Sequence, residues 1–332
     1  MSDKSLLDSA ARIARMDSTW DRDDVSGWVV RGVEPVGSTP NTWLEEPDTG
    51  LIWLHKDTVI PENGVEQGED WSEVVSTQVA ILLGIPCATA RLCTRDGRRG
   101  SLSLSIVPAG QSLWEGRVVL QGAPGYFPHT EGKPGVDPDR PNVKRPGHSL
   151  ANIVRALREV AAPAGFEGPD ALNGYDVFAG YLILDALIAN RDRHEQNWAI
   201  LTPDLLPSVK RLSPSYDHAT SLGYNLTDVA RELCVADHDH LATWANRGTA
   251  YRFEHTGRPP TLVAHAAWSV ALCTREGANW WREQLAECNL DPVQGALRDR
   301  AIAEVSDPAA RFAHELLDLN LRRLRDALDT SS

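Results

Sequence analysis

The run NRDRHEQN at residues 190–197 crowds a carboxylate pair, amides, guanidiniums and an imidazole into one short stretch. Asp192 and Asn197 stand five positions apart, and Asp217 follows in SPSYD at residues 213–217. Phosphoryl transfer asks for these types: a carboxylate to orient an attacking hydroxyl and take its proton, and oxygen ligands for a magnesium ion that neutralises phosphate charge. An Asp and an Asn at this interval also arise by chance in many chains. Their setting adds weight, because so dense a polar run is costly to order unless it serves a site or a buried network.

The elements around the run have the form needed to hold it. Residues 175–189 are apolar almost all round, which predicts a buried helix leading straight into the polar stretch. Residues 198–201 then read as a strand, Pro207 as part of a turn and 209–212 as a second strand, so the order is buried helix, polar loop, hairpin, second Asp. Upstream, residues 29–33, 51–54 and 102–107 read as strands. One helix interrupts them over 71–83, where Trp71, Val75, Val79, Leu82 and Leu83 recur at helical spacing before Gly84 and Pro86. After Pro108-Ala109-Gly110 the pattern changes: residues 122–147 read as an exposed insert, and 149–161, 261–273, 280–288 and 309–328 as helices. This predicts an α+β chain with an N-terminal segment (1–27), a β-rich N-lobe with one helix (28–110) and a mainly α-helical C-lobe (111–332). The cleft between the lobes is the natural ligand site.

The N-lobe offers a cation for that cleft. Lys56 shares a strand face with Ile52 and Leu54, so its stem is half-buried and its ammonium needs an anionic partner. Glu73 opens the following helix; a Lys56–Glu73 pair would orient phosphates, whereas Glu73 alone could serve the helix dipole and Lys56 alone could be solvated. The loop around Gly37, Ser38 and Thr39 sits between two strands and could cover phosphates, although a plain hairpin connection reads as well because Pro40 removes a donor. Asp185, inside the apolar helix, reads as structural. The string DHDH at 237–240 reads as a solvated helix start rather than a metal site, because adjacent residues point in different directions.

The strings LILDALIANRDRHEQNWAIL and SPSYDHATSLG resemble the HipA-like kinases, and SEVVSTQVAILLGIP resembles that family's N-lobe helix. The resemblance implies a two-lobed protein-kinase-like fold related to phosphatidylinositol kinases, with ATP and Mg2+ as cofactors and a serine or threonine hydroxyl of a protein as acceptor. By the same resemblance Asp192 is the catalytic base, His194 supports the loop, and Asn197 and Asp217 bind the metal. Lys56 with Glu73 orients the phosphates, backbone at Ile106 and Val107 meets adenine, and Ser38 is a site of autophosphorylation. The family includes toxins with antitoxin partners; with only 27 residues ahead of the first expected strand, the extra N-terminal subdomain of those toxins is not expected here. A lipid or small-molecule kinase of the same fold, and an ATP-binding pseudokinase serving as an interaction module, are the alternatives.

Composition narrows the field further. With 33 Lys plus Arg against 46 Asp plus Glu, the formal net charge is −13, which disfavours a nucleic-acid partner. Five scattered cysteines without a CxxC pair suggest neither a disulfide framework nor a zinc site. No secretory signal and no bilayer-length apolar run is legible, so a cytoplasmic location is expected. Lys144 and Arg145, at the end of the insert, could meet an acidic substrate or simply be solvated.

Overall fold

The computed structural model describes residues 20–34, 41–62, 64–129, 133, 135–205 and 209–329. The N-lobe contains β1 (Arg22–Asp24), β2 (Val29–Glu34), β3 (Asn41–Glu45), β4 (Ile52–Asp57), helix α1 (Glu69–Leu82), β5 (Ala90–Arg95) and β6 (Arg98–Leu104). These strands form one six-stranded sheet in the order β1-β5-β6-β4-β3-β2, antiparallel except for the β1–β5 pair. Strand β1 comes from the segment expected to precede the lobe. Strand β6 ends at Leu104, short of the expected Val107, so the lobe connection begins at Ser105, whose N–H donates to Ile52 O.

Alternation explains how β4 aims its side chains. Trp53 and His55 are buried on one face, Trp53 within a cluster containing Val25, Leu44, Cys93 and Leu102, which leaves Ile52, Leu54 and Lys56 on the other. Helix α1 is buried along nearly its whole length, from Asp70 to Ala80, because sheet and C-lobe cover it on opposite sides. It stops at Leu83, and Gly84 follows at φ 68°, a left-handed position that costs glycine little. The fully buried Asp70 accepts from Arg22 at 2.7 Å and Arg99 at 2.8 Å, tying β1 and β6 to the start of α1.

The C-lobe continues with β7 (Gln111–Glu115), α2 (Gly116–Val119), β8 (Val143–Lys144), α3 (Leu150–Leu157), α4 (Gly174–Ile188), β9 (Ala199–Pro203), β10 (Arg211–Leu212), α5 (Asp228–Val235), α6 (His238–Arg247), β11 (His255–Thr256), α7 (Leu262–Ala271), α8 (Arg275–Glu287), α9 (Asp291–Arg298) and α10 (Asp307–Asp329). Two small sheets, β10-β9-β7 and β11-β8, complete it. Helix α3 ends before the expected residue 161 because the Ala161 N–H donates to Lys210 O instead of continuing the helix. Asp237, in the DHDH string, caps α6 by accepting from Asp239 N.

All fifteen residues of α4 are buried, and each fully buried Leu, Ile or Phe there contributes about 1.5–3 kcal/mol. Asn173 and Asp176 close a capping box at its start. Trp281 of α8 lies against Gly180, where an added Cβ would sit 2.2 Å from the ring, and its indole N–H donates to Asp176 O at 2.6 Å. Asn320 of α10 donates to Leu187 O at 3.1 Å. Trp280, beside Trp281, packs edge-on against Phe166 and is partly buried. The long central helix is thereby fixed at both ends, and the loop leaving it inherits that rigidity. No helix of the described residues is long and apolar enough to cross a membrane.

Candidate active site

The polar loop begins where α4 stops. Ala189 adopts φ 57°, a left-handed cap that turns the chain out of the helix. Asn190 is buried; its Nδ2 donates to Asp185 Oδ1 at 2.8 Å, and its Oδ1 accepts from Asp192 N at 3.0 Å and Thr220 Oγ1 at 3.1 Å. Arg193 enters the core, only 2% exposed, and forks onto Asp185 at 2.8 and 2.9 Å while a third nitrogen donates to Asn197 O at 2.7 Å. The structural role read for Asp185 is thus that of a counter-charge to the loop's own arginine. Both ions are desolvated and depend on each other, so Arg193→Ala should cost about 3–5 kcal/mol in urea unfolding, with Asp185→Asn comparable. An unchanged midpoint in either variant would contradict this role.

Within that frame Asp192, His194 and Asn197 take distinct positions. The Asn197 Nδ2 donates to Asp192 O at 2.8 Å, closing the loop, and among the described residues its Oδ1 accepts no hydrogen bond. His194 Nδ1 accepts from Gln196 N at 3.1 Å, and its Nε2 lies 3.9 Å from Asp192 Oδ2. Burial depresses the His194 pKa, against the pull of Asp192, which suits a neutral loop-holding imidazole. Arg252, which the sequence did not single out, seats Nε at 2.6 Å and Nη2 at 2.5 Å from Asp192 Oδ1. That leaves Oδ2, on the His194 side, as the carboxylate oxygen that Arg252 does not bond. Arg252 is itself held from behind, its carbonyl accepting at 2.8 Å from His148 Nδ1, whose Nε2 accepts from the Trp198 indole at 3.2 Å.

Asp217 lies opposite. Its φ of 62° places a non-glycine residue in the left-handed region, a strain that surrounding contacts must hold. Lys56 Nζ reaches it across the lobes at 2.5 Å. Burial alone would push the Lys56 pKa down, but Asp217 and Glu73 outweigh it and hold it above its usual value. The Asp217 carboxyl, raised by burial, is pulled below its usual value by Lys56. Glu73 is not the ion-pair partner expected for Lys56. It is buried, accepts from His218 N at 2.6 Å, and lies 3.5 Å from His218 Nδ1, so it fixes the residue after Asp217 and acts on Lys56 only through its charge. Further lobe-to-lobe bonds run from Ala88 N to Ser215 O and from Ser215 N to Pro86 O, both at 2.8 Å, and from Ser72 Oγ to Ser221 O at 2.9 Å. Tyr216 OH donates to Gln196 O at 2.8 Å and couples the Asp217 segment to the polar loop.

Ile106 and Val107 lie in the lobe connection, partly exposed, and the Ile106 peptide groups form no hydrogen bond among the described residues. Gly37, Ser38 and Thr39 lie outside the described residues. The described residues contain no group of three or more His, Cys, Asp or Glu able to hold a metal ion. Asn197 Oδ1 and the strained Asp217 carboxylate are oxygen donors of the hard type that magnesium prefers, and such an ion usually completes its shell with phosphate and water. The residues therefore fit a metal carried in with a nucleotide rather than a closed protein cage.

Behind the loop lies a buried histidine, His265. Neither ring nitrogen has a hydrogen-bond partner among the described residues, and the ring packs on Phe253 at 4.3 Å. Burial, with a smaller push from His148, takes its pKa from 6.5 down to about 3. The unfolded chain thus takes up a proton below pH ~6.5 that the folded chain refuses, so stability is full above that pH and falls by up to about 1.4 kcal/mol per pH unit beneath it. His265→Leu should flatten this acid limb when urea midpoints at pH 7 and pH 5 are compared. A slope unaltered by the substitution would refute the assignment.

No protein-family model matches the sequence, and no curated protein does. Among solved structures, the proinflammatory kinase CtkA of Helicobacter pylori aligns with a TM-score of 0.62 at 14% identity, over 93% of this chain and 98% of that one. The fold is that of a two-lobed kinase. This kinase-fold chain also aligns with HipA of Shewanella oneidensis MR-1, solved with HipB and operator DNA, at a TM-score of 0.47 and 12% identity over 96% of this chain and 72% of that one. The PknI kinase domain of Mycobacterium tuberculosis gives 0.35 at 13% identity over 95% and 99%. The α+β, two-lobed kinase-like class read from the sequence agrees with the CtkA alignment.

Proposed function

We propose that this chain is an ATP- and magnesium-dependent kinase that transfers the γ-phosphate to a serine or threonine hydroxyl of a protein. The observation that carries the reading is the Lys56–Asp217 pair bridging the lobes at 2.5 Å, opposite a loop in which Asn197 is hooked to Asp192. In this reading Asp192 Oδ2 receives the acceptor proton, Lys56 meets the phosphates, and the peptide groups at Ile106 and Val107 meet adenine. Asn197 and Asp217 hold the metal, which when bound neutralises phosphate charge. His194 keeps the loop closed and Glu73 steadies the Asp217 turn.

Incubating the purified chain with Mg·ATP and reading intact mass and phosphopeptides tests this. Added phosphate on this chain or on a protein acceptor supports it, and phosphate found on Ser38 would establish autophosphorylation there. Label entering only lipids or small molecules would favour the alternative acceptor class. One observation favours a further reading, a nucleotide-binding module without turnover: Arg252 already occupies Asp192 Oδ1. That reading requires ATP binding with no phosphate transferred to anything.

A further inference from the structure

Beside Asp192 opens a cleft of about 370 Å³ lined by His129, Lys144, Arg145, Tyr251 and His255 together with Gly135, Val136, Pro141 and Val143. Among the described residues no acidic side chain is part of its lining, although the chain as a whole carries a net charge of −13. Two further cations border it: the guanidinium of Arg252 lies 4.9 Å from the Tyr251 ring centre and that of Arg191 lies 5.2 Å away. Arg252 touches Asp192 directly, so the cleft's border adjoins the proposed transfer site.

Arg252 is paired with Asp192, but among the described residues the two cations in the lining, Lys144 and Arg145, have no direct ion-pair partner. Arg145 forms no ion pair or side-chain hydrogen bond among the described residues, and neither does Lys144. The acids nearby are committed elsewhere: Asp137 to Arg140 at 2.7 Å, Glu254 to the Gly147 N–H at 2.5 Å, and Glu195, buried, 3.9 Å from His148. Arg145 is moreover held at φ 53°, a left-handed conformation that costs a non-glycine residue about 1–2 kcal/mol. The β8–β11 pairing, with Lys144 opposite His255, sets this turn at the cleft wall. Burial and the charge of Arg252 depress the Arg145 pKa, and the more distant charges of Glu195 and Asp192 only partly offset them. Gathering unpaired cations is unfavourable unless an anion arrives to separate them.

We propose that this cleft selects the acceptor: a serine or threonine in a protein segment whose flanking residues are acidic, with Lys144 and Arg145 receiving the flanking carboxylates. The proposal rests on the kinase reading above. A protein segment is favoured over a single phosphate because the cations, Lys144 and Arg145 in the lining and Arg191 and Arg252 at its border beside Tyr251, are spread along the cleft as several flanking carboxylates would need. In the step served, the acceptor oxygen bonds to the γ-phosphorus of ATP, the bond from that phosphorus to the β-bridging oxygen breaks, and ADP leaves with that electron pair. The hydroxyl proton passes to Asp192 and then to water.

The test uses matched serine peptides with Asp/Glu, Ala or Lys/Arg flanks, and inositol and sugar phosphates as small anionic acceptors, with labelled Mg·ATP. Wild type should use the acidic peptides with kcat/KM at least tenfold above the basic ones. A Lys144→Glu, Arg145→Asn double variant should raise the acidic-peptide KM tenfold or more with kcat little altered, and ATP-induced thermal stabilisation verifies its fold. Asn is chosen at 145 because it tolerates the left-handed backbone. Equal use of all peptides or a preference for basic flanks would overturn the proposal while leaving the kinase reading standing, and label only in small phosphates would overturn it together with the protein-acceptor part of that reading. Absence of transfer to any acceptor, with ATP still bound, would overturn both.

Discussion

Asp192→Asn should lower the transfer rate by about 10²–10⁴-fold while ATP continues to stabilise the fold. The carboxamide keeps the size of the side chain, and Asn190 and Asn197 bond only the backbone of residue 192, so the loop has reason to hold its shape. What is lost is the oxygen able to take a proton and the charge that anchors Arg252. The Asp192 side chain is 27% exposed, so its ion pair with Arg252 adds little to global stability and the melting temperature should move only slightly. Labelled ATP and a thermal-shift titration on the same preparation measure both quantities. Full turnover in this variant would remove Asp192 from the chemistry, and a collapsed melting temperature would make its role structural.

Asp217→Ala should abolish the magnesium dependence of ATP binding, with nucleotide affinity falling at least tenfold in calorimetry. Two losses combine: a hard oxygen ligand disappears, and Lys56 loses the partner that fixes its Nζ at 2.5 Å. The pair is partly solvated, with side-chain exposures of 26% and 35%, so its direct contribution to folding is about 0–1 kcal/mol. Because the Asp217 pKa lies below its usual value of 3.8, the stabilisation it gives is complete above that pH and is lost only as pH falls through the lower folded value. Near neutral pH the variant should therefore fold almost as well as wild type while binding Mg·ATP poorly. ATP affinity that keeps its magnesium dependence in Asp217→Ala would refute the assignment, and Lys56→Met, which removes the phosphate partner but no metal ligand, separates the two effects.

Much of this site was readable in one dimension because its pieces are local. A fully apolar helix, a polar run and a hairpin are each encoded by neighbours in sequence, and α4, β9 and β10 lie close to where periodicity placed them. The cleft-facing stem of Lys56 followed from strand alternation alone. What escaped was set by distance along the chain. Arg252 meets Asp192 across 60 residues and comes from a stretch with no periodic signature. Strand β7 pairs with β9 across the whole insert, and β1 and β8 are three and two residues long, too short to carry a pattern. Helices α5, α6 and α9 are eight to ten residues long with only one, two and three buried residues, too short and too little buried for a clear core-facing stripe. Glu73 was read as a partner of Lys56 or a helix-start charge, and its hydrogen-bond partner, His218, could be found only once the Asp217 turn was folded against α1. Lys144 and Arg145 could be read either as meeting an acidic substrate or as solvated charges, and only the folded chain shows that they line one cleft and form no direct ion pair among the described residues.

The most direct measurement is a crystal structure of the chain with Mg2+ and a non-hydrolysable ATP analogue. The account predicts a divalent ion bound between Asn197 and Asp217, Lys56 on the phosphates, and the terminal phosphate facing Asp192. A nucleotide bound away from these four side chains, or a metal that touches neither Asn197 nor Asp217, would contradict it.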